Sequence, residues 1–228
     1  MPKIRTFPIW LTIALVIAWF SLPPAMRSRW VNHGSNARLK AALGTAINNN
    51  NVFAVADAVN AGADVNCHLY GAVTPLLQAV LADEPQVAEE LLLRGADVDY
   101  PAPMGVTPLM IAAEHSNLPM IAVLLKHGAN VNATCHSGKT ALRLAVEIHS
   151  PEAVAALLAG GANPTLAAKD GTTPLHTAAF EPDFRVALQL VAAEADFAAH
   201  NHDGPTSLAR NQAAQIVLTS LDHQMPAE

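Results

Sequence analysis

A threonine that recurs every 33 residues is the feature that most constrains the fold of this chain. It stands at Thr74, Thr107, Thr140, Thr173 and Thr206. Pro-Leu follows the first, second and fourth of these threonines, and Ala-Leu follows the third. A second motif, Gly-Ala followed by Asp or Asn, keeps the same period at Gly62, Gly95, Gly128 and Gly161. Two motifs with one period indicate a chain built from repeated structural units.

Each repeat can be read as two helices joined by loops. Threonine is a good helix N-cap, and proline fits the first helical position, where no N–H is needed. The small pair Ala112 and Ala113 lets a neighbouring helix approach closely. A second apolar helix follows, and Gly128 stands where a left-handed C-cap is wanted. One such unit cannot bury its own apolar face, so the copies must stack.

The segment Thr173–Ala178 reads T-P-L-H-T-A and closely resembles the signature of the ankyrin repeat. The resemblance extends over roughly residues 38–221. It implies an all-α solenoid of stacked helix-turn-helix units, with β-hairpin fingers and a concave binding face. It also implies that His176 makes hydrogen bonds within the loop framework, and that the chain binds protein and is not an enzyme.

The repeat period predicts the domain boundaries. We expect a membrane or signal segment at 1–24, a linker at 25–37, an ankyrin-repeat domain at 38–221 and a tail at 222–228. Within the domain we expect an N-terminal cap at 38–66 and a C-terminal cap at 199–221. Four good units lie between the caps, at 67–99, 100–132, 133–165 and 166–198.

The chain departs from the family pattern in the turn between the two helices of a unit. The family usually has glycine there, nine residues after the threonine, whereas this chain has Asp83, Ser116, His149 and Pro182. We expect Pro85, Pro119 and Pro151 to start their second helices. Proline cannot take a positive φ, so the turn at Pro182 must be rebuilt. Glu194 replaces the C-cap glycine of the fourth good unit.

Residues 7–22 form an uncharged apolar run that is flanked by Lys3 and Arg5 before it and by Arg27 and Arg29 after it. The run predicts either an uncleaved hydrophobic anchor helix or a cleaved signal peptide. For the anchor we expect a single-pass protein of a bacterial inner membrane, with its body in the periplasm. The anchored protein would act as a scaffold or an inhibitor. For the signal peptide we expect a freely soluble periplasmic chaperone or inhibitor. Residues 23–37 read as a polar linker that extends at most about 50 Å.

The charge of the chain is divided unevenly between its two parts. Residues 1–56 carry six basic side chains and no acidic one. Residues 57–228 carry the other seven basic side chains and all 19 acidic ones, which gives this part of the chain a formal charge of −12. So acidic a body repels phosphate backbones, which argues against nucleic acid as a partner.

Three motifs invite chemical interpretations that the sequence does not favour. The stretch Ala133–Thr140 resembles a relaxed phosphate loop, but Thr140 is already the repeating N-cap and no βαβ context surrounds it, so we expect no nucleotide. The cluster from His200 to Asp203 suggests a metal site or an enzyme, yet no matching ligand spacing accompanies it. We expect no cofactor and no metal. Cys67 and Cys135 lie two repeats apart, too far for an internal disulfide.

The resemblance places the partner contacts on the fingers and on the exposed side of each first helix. Our candidate protein-binding residues are Tyr70, Leu81, Tyr100, Met104, Glu114, His115, His136, Glu147, Ile148 and Phe180. Tyr70, Leu81, Tyr100, Ile148 and Phe180 are the expected anchors, because they are apolar where the family pattern exposes the side chain, and aromatic anchors dominate interface energetics. The alternative is that they only cover the solenoid surface.

Overall fold

The computed structural model describes residues 24–179 and 185–195, with side chains from residue 36 onward. Its α-helices in these ranges are α1 (Pro24–Asn48), α2 (Val52–Asn60), α3 (Pro75–Leu81), α4 (Pro85–Leu93), α5 (Pro108–Glu114), α6 (Leu118–Lys126), α7 (Ala141–Glu147), α8 (Pro151–Ala159), α9 (Pro174–Ala178) and α10 (Arg185–Ala192). A 3₁₀ turn spans Pro103–Gly105.

The helices form two parallel layers. The first layer contains α1, α3, α5, α7 and α9, each packed on the next. The second layer contains α2, α4, α6, α8 and α10, again in chain order, and each pairs with the first-layer helix that precedes it. The helical solenoid predicted from the 33-residue period is therefore confirmed.

The recurring threonines cap the first-layer helices as predicted. Thr74, Thr107, Thr140 and Thr173 each accept a hydrogen bond through Oγ1 from the backbone N–H three residues later, at 3.2–3.4 Å. All four are buried. The side chain of His176 closes the last of these caps, because its Nδ1 accepts from the N–H of Thr173 at 3.2 Å. The framework role predicted for His176 is thus confirmed.

The glycine at the end of the second-layer helix takes the predicted left-handed conformation. Gly128 has φ +83°, and the N–H of Ala129 reaches back to the carbonyl of Leu124 at 3.0 Å. Glu194 takes the same conformation at the equivalent position, with φ +62°. In the turn between helices, Asp83, Ser116 and His149 also have φ near +55°, at 59°, 53° and 56°. Pro182 lies outside the described residues.

The core runs continuously between the two layers. Its largest fully buried side chains are Leu43, Ile47, Leu76, Leu77, Leu91, Leu109, Met110, Met120, Ile121, Leu124, Leu142 and Leu157. They come from successive units, so each unit covers the apolar face of its neighbour. Full burial of one such side chain stabilises the fold by roughly 1.5–3 kcal/mol.

The structure differs from the sequence-based predictions at three points. The expected linker at 25–37 is helical, because α1 runs without interruption from Pro24 to Asn48. The expected β-hairpin fingers contain no strand in the described ranges; they are tight turns with isolated bridges, Tyr70 to Val73 and Ala102 to Val106. Each finger is too short for a ladder to extend. In addition, α6 begins at Leu118, one residue before Pro119, whereas Pro85 and Pro151 do start their helices.

The apolar run at 7–22, predicted to be a hydrophobic helix, lies outside the described residues. Among the residues from 24 onward that the structure describes, no helix is both long enough and apolar enough to span a bilayer.

Gly138 provides a test of how closely neighbouring fingers pack. A Cβ at Gly138 would lie 2.7 Å from the backbone N of Lys169, whereas Gly128 has nearly the same φ and open space around it. We expect Gly128→Ala to lower the free energy of unfolding by roughly 1–2 kcal/mol through backbone strain alone. Gly138→Ala should lower it by roughly a further 1–3 kcal/mol, because the finger backbones must separate. Urea denaturation of both variants measures the difference, and equal losses would contradict the close finger contact.

Candidate protein-binding face

The fingers are tight turns that follow one pattern. In each, a backbone N–H donates to the carbonyl four residues later, from Leu69 to Val73, Ala102 to Val106, Cys135 to Lys139 and Ala168 to Thr172, at 2.8–3.0 Å. Neighbouring fingers are also linked directly. The N–H of His136 donates to Met104 O at 2.8 Å, and the N–H of Lys169 donates to Ser137 O at 3.1 Å. The finger tips are therefore held at fixed spacing.

We use "finger face" for the surface made by the finger tips Tyr70, Met104 and His136 and by the exposed first-layer positions Leu81, Glu114 and Ile148. Four of these residues are apolar and open to solvent. Tyr70 is 53% exposed, Leu81 55%, Met104 66% and Ile148 38%. Met104 has φ +68°, at the centre of the 3₁₀ turn that projects its side chain. Apolar side chains exposed on a rigid scaffold are a common mark of protein contact sites.

Tyr100 is placed differently from the described anchors Tyr70, Leu81 and Ile148. It is half-buried, and its hydroxyl lies 2.8 Å from Nε2 of His68 on the preceding finger. The two rings meet edge to face, with centroids 5.5 Å apart. Tyr100 therefore joins two fingers, and a partner could reach only part of its ring.

Glu114 and Glu147 occupy the same register position, 33 residues apart, but differ in their contacts. Glu114 is exposed and makes no ion pair with any described residue. Glu147 accepts from Nζ of Lys139 at 2.8 Å and from Nε of Arg143 at 3.0 Å. The finger face thus has the carboxylate of Glu114 available to a partner, whereas the neighbouring carboxylate of Glu147 is already ion-paired. His115, next to Glu114, is also exposed.

Arg143 is the residue of this region that sequence reasoning missed. It is 7% exposed, and its guanidinium also donates to the carbonyl and hydroxyl oxygens of Thr172 in the next unit, at 2.7 and 2.6 Å. Its position in the repeat could have identified it, because Arg143 stands 33 residues before His176 and so replaces the histidine of the repeat signature. Arg143 ties two units together and holds Glu147 in place.

The carboxylates of the described body lie mostly away from the first layer. The helices α1, α3, α5, α7 and α9 carry only Glu114 and Glu147, whereas acidic side chains occur on α2, α4 and α8. On the second layer, the pKa of Glu89 is lowered by a hydrogen bond from Lys126 and by the charge of that lysine. The finger face is therefore apolar and nearly neutral within an acidic body.

The two cysteines are free thiols in different surroundings. Burial raises the pKa of Cys67, and the charge of Asp64 raises it further. Burial also acts to raise the pKa of Cys135, but hydrogen bonds from the Ser137 hydroxyl and from nearby backbone N–H groups outweigh it, so this pKa is lowered. Within residues 36–179 and 185–195, no cluster of three potential metal ligands forms. Phe180 and the His200–Asp203 cluster lie outside the described residues.

Comparison with known proteins agrees with this geometry. Residues 76–168 match the family model for ankyrin repeats in three copies. Among solved structures, the chain is similar to an ankyrin repeat domain from Acinetobacter baumannii AYE, with 24% identity and a TM-score of 0.71. That match covers 78% of this chain and 96% of the other. Comparison with curated proteins gives no match.

The matched pair of glutamates allows a test of the Arg143 contact. We expect Glu147→Gln to lower the free energy of unfolding by roughly 1–2 kcal/mol, because it leaves a buried guanidinium without its charged acceptor. Glu114→Gln, at the same register position without an ion pair, should change it by less than about 0.5 kcal/mol. Urea denaturation of both variants provides the measurement. Equal effects would show that Glu147 is as solvated as Glu114.

Proposed function

Because this chain is an ankyrin-repeat protein, we propose that it works without catalysis, by binding another protein through its finger face. Ankyrin repeats are protein-interaction modules, so the family supports a binding role. The observation that carries the assignment to this face is the exposure of Tyr70, Leu81 and Met104 on three elements that stacking holds in register. Because stacking already fixes the backbone of these elements, little backbone conformational freedom is lost on binding.

The charge distribution also supports this face over the rest of the surface. A partner that docks on the second layer must desolvate carboxylates such as Glu89, Glu90 and Glu152. A partner on the finger face meets mainly apolar side chains and the single unpaired carboxylate of Glu114. Charged residues are depleted at interface cores, as they are here.

Exposed apolar residues on the second layer supply matched controls. Phe53 on α2 is 85% exposed and Leu93 on α4 is 68% exposed, so truncation of either removes as much accessible apolar surface as truncation of Leu81. We expect Tyr70→Ala and Leu81→Ala to weaken partner binding at least fivefold, corresponding to about 1 kcal/mol or more. Phe53→Ala and Leu93→Ala should leave binding unchanged.

The measurement is quantitative cross-linking of the full-length chain and its variants in the native cell. Thermal unfolding of each variant checks that the fold is retained. Equal recovery of the partner by all four variants would rule out the finger face as the binding surface, and loss only with Phe53→Ala or Leu93→Ala would assign the second layer instead.

We further propose that residues 7–22 hold the body at a membrane, as an uncleaved anchor of a single-pass protein with its body in the periplasm. The uncharged apolar run and the basic residues on both sides of it support an anchor. The same run supports a cleaved signal as the alternative, which gives a soluble periplasmic binder.

Cell fractionation with intact-mass analysis distinguishes the two. An anchor gives the full-length mass in the membrane fraction, and protease added to spheroplasts digests the body. A cleaved signal gives a shortened soluble species. Full-length protein in the membrane with a protected body would reverse the proposed topology.

A further inference from the structure

A notch of about 340 Å³ opens between α1 and the first finger, at the N-terminal end of the finger face. Its floor is apolar and consists of Ala37, Ala41 and Gly44 of α1 and Leu69 of the finger. Leu69 is 8% exposed, and a Cβ at Gly44 would lie 3.6 Å from its Cδ2, so the finger packs directly on the helix at this point. The floor can accept an aliphatic or aromatic side chain.

The rim of the notch offers hydrogen-bond donors. Lys40, Thr45, Asn48 and Tyr70 line it. Lys40 forms no ion pair or side-chain hydrogen bond with another described residue, although the body is acidic. Asn48 uses its Oδ1 to accept from Nε2 of Gln78 at 2.5 Å, which leaves its NH₂ group free to donate. The Tyr70 side chain is 53% exposed, and its hydroxyl has no partner among the described residues.

No carboxylate lines the notch, and none occurs anywhere on α1. The lining therefore offers an ammonium, an amide NH₂ and a phenol beside an apolar floor, and it contains no carboxylate. Such a set of donors complements an anion, and the apolar floor requires that the anion be attached to an apolar group.

The anion that fits best is a carboxylate. A phosphate dianion is usually held by several cations or by an Arg cluster, whereas this rim has one ammonium. A single lysine balances the single charge of an Asp or Glu side chain, and the floor then accepts the next residue of the partner.

We propose that the notch recognises an acidic side chain that stands beside a Leu or Phe in the partner's binding segment. This inference rests on the proposed protein-binding function and adds the chemistry of the partner. Lys40 pairs with the carboxylate, Asn48 and Tyr70 donate to it, and Leu69 packs against the neighbouring apolar side chain. The notch thereby fixes which end of the partner segment lies at α1.

The test uses three blocked peptides, acetyl-Gly-Ser-X-Leu-Phe-Ser-Gly-amide, in which X is Glu, Gln or Lys. Each is titrated into the ¹⁵N-labelled full-length chain, and the amide shifts of Gly44 and Leu69 report occupancy of the notch. We expect the Glu peptide to bind about three- to fivefold more tightly than the Gln peptide, as a solvent-accessible ion pair allows, and the Lys peptide to bind most weakly.

The charge reversal Lys40→Glu should invert this order, so that the Lys peptide binds best. Lys169→Glu is the matched control; it makes the same change on the fourth finger, outside the notch, and should leave the order intact. The amide spectrum itself shows whether each variant is folded.

Equal binding of the Glu and Gln peptides, or an order that Lys40→Glu does not alter, would overturn the notch assignment. Displacement of the Glu peptide by inorganic phosphate at equal concentration would overturn it as well, because the site would then hold any anion. Leu81 lies outside the notch and separates the two proposals. If the peptide test fails but partner capture still depends on Leu81, only the notch proposal is wrong. If capture is also independent of Leu81, the finger-face proposal is wrong as well.

Discussion

Stacking of one unit on the next is the interaction on which the rest of this structure depends. A first-layer helix here has five or seven residues after α1, far too short to be stable alone in water. It persists because its apolar side chains, such as Leu109 and Leu142, are covered by the helices of both neighbouring units. Local capping by threonine fixes where each helix begins, and stacking supplies the free energy that keeps it folded.

Polar contacts between units then set the spacing at which the stack repeats. Asn66 accepts from the N–H of Asp97 at 2.9 Å and donates to Gly95 O at 3.1 Å. Asn132 repeats both contacts with Asn163 and Gly161, at 2.8 and 3.3 Å. These bonds join the segments that follow the second-layer helices, and none of them uses a side chain of the finger face. The surface side chains can therefore vary without disturbing the scaffold, which is why the fold indicates binding only in general terms.

The 33-residue period predicted the helices, their threonine caps and the Gly128 C-cap, because each of these depends on local sequence and on an identical neighbour. The sequence did not predict that α1 continues through 25–37, since its Gly34 and polar residues resemble a linker. The sequence also did not predict that Glu147 is ion-paired whereas Glu114 is not. Their local sequences are similar, and the difference arises from Lys139 and from Arg143, which a contact with the next unit holds in place. Local patterns thus predicted the repeat framework, whereas the charges available on the finger face depend on contacts between units.

The helical course of α1 changes how an anchored body relates to its membrane. An extended segment of this length would let the body move over several tens of ångströms, but a helix rises only about 1.5 Å per residue. With residues 7–22 in the bilayer, the 15 residues from Pro24 to Arg38 span roughly 22 Å as a helix. Because α1 also forms one wall of the notch, the proposed anchor would keep the notch close to the bilayer. A partner whose acidic and apolar residues lie within a few tens of ångströms of the same membrane meets the notch at a far higher effective concentration than one that diffuses freely.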